Sequence, residues 1–276
     1  MKNPISLILL ILTVVIAVGC SGGGKTTGDA EPTVTLSSTK QSDTLSFPLS
    51  NGNNCKVLVD VSVTYPKAFK TDKETAALQR LFITTVLECP DSLAMADAVK
   101  QYTASISSLN STDGSDEDYA EQEEDLIPVE KIQISVNITT AFNHHGVITF
   151  CKEVTYKRND VMTSKMHRYY NLDLQSMKPV DLTMFRDDAI SDVCQLLKNK
   201  LMEQTHTHNN DELNELGYFN IDNLTVTTNF CFDDNGITWS FLPQELAADA
   251  LTEPRITISY DALKPLAAEG SIINRF

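Results

Sequence analysis

The residues of this chain best placed to do chemistry are cysteines, histidines and a dense run of carboxylates. Cys20 stands directly behind Ala17-Val18-Gly19, at the end of an almost uninterrupted apolar run from Ile5 to Val18 that follows Lys2. A cysteine behind small residues, after a short basic start and an apolar segment too short to span comfortably, marks a secretory signal with an acyl acceptor. Its thiol would carry diacylglycerol and its freed amine a further acyl chain, and two or more chains anchor stably at about 0.8 kcal/mol per buried CH₂. The mature protein is therefore expected to begin at Cys20, tied to a membrane outside the cytoplasm. The expected place is the periplasmic side of an outer membrane, with the cell surface as the alternative.

The same junction holds a phosphate-loop pattern, Gly19, Gly24, Lys25 and Thr26. That pattern cradles phosphate only between a strand and a helix. Here cleavage would remove Gly19 and Thr27-Gly28-Asp29-Ala30-Glu31-Pro32 carries no helical pattern, so nucleotide binding is set aside.

Five cysteines remain after Cys20: Cys55, Cys89, Cys151, Cys194 and Cys231. Five cannot all pair internally, and none falls in a CxxC or Cys/His zinc spacing, so buried free thiols are the main expectation, with pairing left open. His144-His145 sits in a turn and His206-Thr207-His208 at a helix end, and neither pair alone makes a metal site. The run from Asp113 to Asp125 is acidic, yet it lacks the central glycine and regular oxygen spacing of a calcium loop. Within it Glu121, Glu123, Glu124 and Asp125 read as a solvated loop with the charge to meet a basic partner. No paired-carboxylate or metal-cluster spacing for sugar or wall chemistry is recognisable. No catalytic residue, metal or cofactor is assigned.

Charge bounds the partners. The chain carries 37 acidic against 22 basic residues, a formal charge of −15 over 276 residues. That excludes the clustered Lys and Arg of a nucleic-acid surface and favours basic partners by electrostatic steering.

The elements that must position these groups form an α+β chain in two related modules, each an antiparallel sheet packed with helices. Residues 1–19 are the signal, and Ser/Thr/Gly-rich residues 20–50 read as a flexible tether. The first module, 51–175, opens with a strand at Cys55–Thr64 whose odd positions are apolar, ended by Tyr65-Pro66. Thr71-Asp72-Lys73-Glu74 is a capping box. Ala77, Leu78, Leu81, Phe82 and Val86 continue at helical spacing, and Leu93, Ala96, Val99, Tyr102 and Ile106 mark a second helix. A hairpin follows, from Ile132–Ile138 to Ile148–Tyr156 around Asn143-His144-His145-Gly146, and then a strand at His167–Leu174.

The second module, 176–276, carries a short turn of helix at 181–185 and an amphipathic helix from Ala189 to Leu201. A strand from Leu224 to Phe232 turns at Asp233-Asp234-Asn235-Gly236 into Ile237–Phe241. A last strand, Arg255–Tyr260, precedes a short helix. Trp239 is expected in the core, opposite Phe230 or Phe232.

The stretches Tyr169-Tyr170-Asn171-Leu172-Asp173-Leu174, Lys178 to Phe185, Phe230 to Trp239 and Ile256 to Leu263 resemble the C-terminal domain of RsiV-like proteins. That family includes the extracellular part of a lysozyme-sensing anti-sigma factor. Val57 through about Asp173, with Val63-Thr64-Tyr65-Pro66, is similar to an associated N-terminal module also found beside peptidoglycan deacetylase domains. The chain departs from the family in two turns. Ser164-Lys165-Met166-His167 stands in place of Gly-Gly-Ala-His, and Pro243-Gln244-Glu245 in place of Pro-Tyr-Glu. Of the residues before the apolar run only Lys2 and Asn3 are expected to stand in the cytoplasm, so no sigma-binding domain is expected there.

The resemblance implies a non-catalytic envelope lipoprotein that binds a wall-associated ligand, a basic muramidase or a peptidoglycan glycan. The alternatives are a cell-wall or carbohydrate-modifying enzyme, or a structural envelope component.

Overall fold

The computed structural model describes residues 32–48, 54–111, 131–247 and 253–276. Cys20 and the acidic group Glu121, Glu123, Glu124 and Asp125 lie outside the described residues. Among the described residues no helix is long and apolar enough to cross a membrane.

The architecture is α+β, built on a six-stranded and a three-stranded sheet. The larger sheet contains β1 (Thr35–Pro48), β2 (Asn54–Ala68), β3 (Lys131–His144), β4 (Val147–Arg158), β5 (Val161–Asp173) and the two-residue β6 (Lys178–Pro179), in that spatial order. Alternation on β2 comes out as read: Cys55, Val57, Val59, Val61 and Val63 are all buried on one face. Ile132, Ile134, Val136 and Ile138 of β3 lie beside them in parallel register, Val57 opposite Ile132 and Val63 opposite Ile138. A parallel pair needs a long crossover. Helices α1 (Asp72–Thr85) and α2 (Met95–Ser111) lie in it and cover this face. The capping box forms, with Thr71 Oγ1 accepting from Glu74 N–H at 3.2 Å and Glu74 Oε2 accepting from Thr71 N–H at 3.2 Å. Phe82 of α1 meets Phe150 of β4 edge to face at 4.7 Å.

Residues 35–48 depart from the tether reading. They form β1, paired antiparallel with the whole of β2. Ser/Thr-rich composition suits a linker, but Thr is also a good strand residue. What decides is β2, which offers a full row of backbone partners and the apolar ground against which Leu36, Leu45 and Phe47 pack. β2 also runs through Pro66 instead of stopping there. Pairing with β3 ends at Val63, so beyond it β2 has a neighbour on one side only, where proline's missing N–H is tolerated.

β3, β4 and β5 form a meander. His145-Gly146 turns the first hairpin with φ of 53° and 69°, the left-handed pair that a two-residue turn requires. Asn159 and Asp160 turn the second with φ of 47° and 68°. β5 therefore begins at Val161, six residues before the sequence places it.

The second core is built on β7 (Phe230–Phe232), β8 (Gly236–Ser240) and β9 (Arg255–Ser259), covered by α3 (Ile190–Thr205), with the short helices α4 (Asn210–Glu215) and α5 (Tyr260–Leu263). Trp239 is fully buried and directly opposite Phe230. Asp233 Oδ1 accepts from the N–H groups of Asn235 and Gly236 at 2.7 and 3.0 Å, which sets the turn. A side chain at Gly236 would run into the carbonyl of Ile258, so glycine is required by close approach. β7 is shorter than its apolar alternation suggests. Leu224 and Val226 pack on the core outside any strand.

Phe142 and Val147, at the β3–β4 turn, are buried in the second core instead of the first. One face of the large sheet thus serves the helices α1 and α2, while the other, at the β5 end, meets the small sheet.

Candidate functional site

Where the two cores meet, the outer edge of β5 would expose unpaired backbone, and side chains from the second core complete it. Asn229 is buried. Its Oδ1 accepts from Tyr169 N–H at 2.8 Å, and its Nδ2 donates to His167 O and Ser240 O at 2.9 Å each. One carboxamide so stands in for a strand. Farther along, Val180 N–H donates to Asn171 O at 2.8 Å, where β6 begins its short pairing. Covering an edge in this way protects it from pairing with another chain.

Along this junction opens a cleft of about 370 Å³, within the size range of small-ligand sites. One wall is β5, with Arg168, Tyr169, Tyr170 and Asn171. The other comes from Thr227, Thr228 and Asn229, Leu242 and Glu245, and Pro179 and Val180, with Thr85 of α1 at one end. Among the described residues its charged groups are Arg168 and Glu245. Among the described residues Arg168 makes no ion pair, whereas Glu245 Oε2 accepts from Leu242 N–H at 2.8 Å and so braces its own loop. Gln244 in that loop has φ of 65°, which turns the chain sharply at the rim. This is the Pro243-Gln244-Glu245 turn singled out in the sequence, and the structure puts it at the cleft.

His167, the other residue marked by motif, does not line the cleft. Its ring lies between two carboxylates, Nδ1 to Glu253 Oε2 at 2.6 Å and Nε2 to Glu153 Oε2 at 3.0 Å. Its backbone N–H also donates to Glu253, at 2.5 Å. Lys165 binds Glu153 at 2.9 Å, and the bonds from Lys165 and His167 outweigh desolvation to hold that carboxyl below its ordinary value. Both ring nitrogens are engaged, so the cluster ties residue 253 to the sheet.

On the helix side of the cleft lies Lys152, 8% exposed. Its ammonium stands 5.0 Å from the Tyr102 ring centroid, 4.9 Å from that of Tyr170 and 3.6 Å from Glu88 Oε1. Burial pushes its pKa down, Glu88 opposes this, and nearby Arg168 adds to the depression. Burial raises the Tyr170 hydroxyl to about 12, and it donates to Glu88 at 3.5 Å. The two aromatic faces offset part of the cost of the buried cation. Glu88 itself has φ of 55°, which places its carboxylate beside these groups at the end of α1.

A second, more open cavity of about 490 Å³ lies between α3 and β9, lined by Leu196, Lys200, Glu203 and Thr257 among others. Lys200 and Glu203 pair with each other there at 2.8 Å.

Other sequence candidates come out as structural parts. Cys55, Cys89, Cys151, Cys194 and Cys231 are free thiols. Burial pushes the first three and Cys231 above the usual thiol range, Cys231 to about 11, which keeps them protonated and poor nucleophiles. His145 lies 4.8 Å from the Phe276 ring, and His206 takes the left-handed position that ends α3. Among the described residues no group of His, Cys, Asp and Glu is placed to hold a metal ion. Sequence reasoning did not single out Arg168, Asn229 and Glu253. Their roles depend on segments that meet from 60 and 86 residues away.

Residues 182–261 match the family described as "Protein of unknown function (DUF3298)". No curated protein matches the chain. A member of the DUF3298 family from Bacteroides fragilis has a similar structure, with a TM-score of 0.69 at 20% identity over 89% of this chain and 98% of that one. A DUF3298 family protein from Pseudomonas aeruginosa gives a TM-score of 0.51 at 13% identity, over 85% of this chain and 95% of its own. At such identities the likeness concerns the fold. Residues 182–261 are therefore similar to the DUF3298 family, and they sit in a fold that two DUF3298 proteins share along nearly their whole lengths.

Proposed function

We propose that this protein is a non-catalytic, lipid-anchored envelope protein that binds a wall-associated ligand, either a basic lysozyme-like muramidase or peptidoglycan. The observation that carries the reading is the junction cleft, which joins a ligand-sized volume to side chains from both cores: Arg168 and Tyr170 on one wall, Thr228 and Glu245 on the other. The RsiV-like resemblance and the lipid-acceptor signal at Cys20 supply the setting. The −15 charge supports a basic protein partner.

The tether is shorter than composition suggests. Residues 21–34 separate Cys20 from β1, and 14 residues reach at most roughly 50 Å. The start of β1 would thus be held within that distance of the anchoring bilayer.

The test is a pull-down and calorimetric titration of the full-length chain in detergent against lysozymes, purified sacculi and soluble peptidoglycan fragments. Saturable binding to lysozyme or to wall material supports the proposal, and salt-sensitive lysozyme binding identifies the protein partner. If lysozyme is the partner, neutralising Glu121, Glu123, Glu124 and Asp125 slows association. Turnover of a wall fragment, or no binding to any of them, overturns it.

A further inference from the structure

The cleft's charges narrow the chemistry of what it accepts. Among the described residues its lining carries one cation, Arg168, and one carboxylate, Glu245, and the remaining polar groups are hydroxyls and carboxamides. A simple anion would gain from Arg168 and lose to Glu245, and a simple cation the reverse. A ligand with both charges satisfies both. Three features of the rim favour such a ligand.

Among the described residues Arg168 has no carboxylate partner; its guanidinium lies beside the Tyr170 hydroxyl, and its fork can receive a carboxylate bidentately. Lys152 stands close enough to add positive potential, and its own carboxylate partner, Glu88, is 66% exposed and 3.6 Å away. An incoming carboxylate at Arg168 relieves that repulsion. On the opposite wall, Leu242 N–H uses Glu245 Oε2 and leaves Oε1 as an acceptor. Thr227 and Thr228 add hydroxyls beside it.

We infer that the junction cleft binds the zwitterionic end of an amino acid or short peptide, its carboxylate on Arg168 and its ammonium on Glu245. The inference rests on the reading of this cleft as the ligand site and names what enters it. Short peptides with free ammonium and carboxylate groups occur in bacterial walls, and free dipeptides carry the same chemistry.

The experiment is calorimetric titration of the full-length protein in detergent with D-alanyl-D-alanine, L-alanyl-L-alanine, a diaminopimelate-containing wall tripeptide and N-acetylmuramic acid. The N-acetylated and C-amidated forms of each peptide are the controls. A free peptide is expected to bind, and capping either end to weaken it about tenfold to a hundredfold, the usual range for a lost charge-assisted hydrogen bond. Arg168→Gln is expected to abolish discrimination between acid and amide while keeping that against N-acetylation. Glu245→Gln does the reverse, since the glutamine oxygen still accepts from Leu242 N–H and holds the loop. Binding of a wall peptide but not of either dipeptide, or the converse, decides the source and supports the inference.

Equal affinity for capped and free peptides, discrimination that survives both substitutions, or binding of N-acetylmuramic acid alone overturns it. Sacculus binding with no peptide binding overturns this inference too, while leaving the wall-ligand reading standing.

Discussion

Asn229 holds Tyr169 as a strand would, with its Oδ1 2.8 Å from Tyr169 N and its Nδ2 bonded to the carbonyls of His167 and Ser240. Together with Asn171, whose Nδ2 donates to Phe230 O at 2.7 Å, this side chain fastens the small sheet to the edge of the large one. Asn229→Leu keeps the approximate volume and leaves three backbone groups without these bonds. Each buried unpaired group costs about 1–3 kcal/mol, so a loss of about 3 kcal/mol or more is expected. Urea unfolding measures it, and an unchanged midpoint would show that the junction is held by other contacts.

Asp173 and Arg275 predict the acid limb of stability. Arg275 reaches Asp173 with both terminal nitrogens, at 2.7 and 3.1 Å. Burial alone would raise the Asp173 pKa. The bonds from Arg275, Gln175 N–H and Ser176 Oγ outweigh it and pull the carboxyl below 3.8. The unfolded state then binds the proton more readily, so the stabilisation is complete above the ordinary value of 3.8 and is lost as pH falls through the lower folded value. Asp173→Asn should be less stable than the parent at neutral pH, with the difference shrinking towards pH 2. A difference independent of pH would assign the effect to packing.

Trp239 fixes the second core. It is fully buried opposite Phe230, with ring centroids 6.1 Å apart, and Phe185 stacks on it at 6.3 Å. Trp239→Ala is expected to cost about 3–5 kcal/mol, the range for emptying a large aromatic site. Since this is the one tryptophan of the chain, its fluorescence reports the core directly. An emission maximum typical of water-exposed indole would contradict the placement.

Lys152 gives a prediction of the opposite sign. Its ammonium is buried between two tyrosine rings, and among the described residues its one carboxylate partner is 3.6 Å away and largely exposed. Replacing such a cation by an apolar side chain of similar length is often neutral or stabilising. Lys152→Met should therefore leave the unfolding midpoint unchanged or raise it, while Lys152→Ala lowers it by opening a void between the rings. A Met variant as unstable as the Ala variant would show that the charge itself holds α1 and α2 to the sheet.

Anchoring is tested at Cys20. Cys20→Ala should release the protein from the membrane fraction or leave an uncleaved precursor, read by fractionation and by incorporation of labelled fatty acid. Unchanged acylation would refute the assignment.

Local pattern carried much of this molecule. The alternation of Val57, Val59, Val61 and Val63 specified a strand and its buried face, because a period of two leaves one face to the core. Thr71 and Glu74 specified the start of α1, since both partners of the capping box lie within one turn. Asp233-Asp234-Asn235-Gly236 marked the β7–β8 turn, which Asp233 sets by its side-chain bonds, and with it the register that places Trp239 opposite Phe230. These are short-range effects, in which the residues that decide are neighbours in the chain.

The tertiary structure decided the rest, where partners come from far along the sequence. Residues 35–48 have linker composition and become a strand because β2 pairs with them. Leu224 and Val226 alternate like strand residues and yet stay outside the strand, packed on the second core from the segment that precedes β7. The cleft has no signature in sequence. Arg168 and Glu245 lie 77 positions apart, and only the docking of two cores brings them to one rim. Composition and periodicity report what a segment buries, whereas a binding site depends on which surfaces the packed cores leave facing each other.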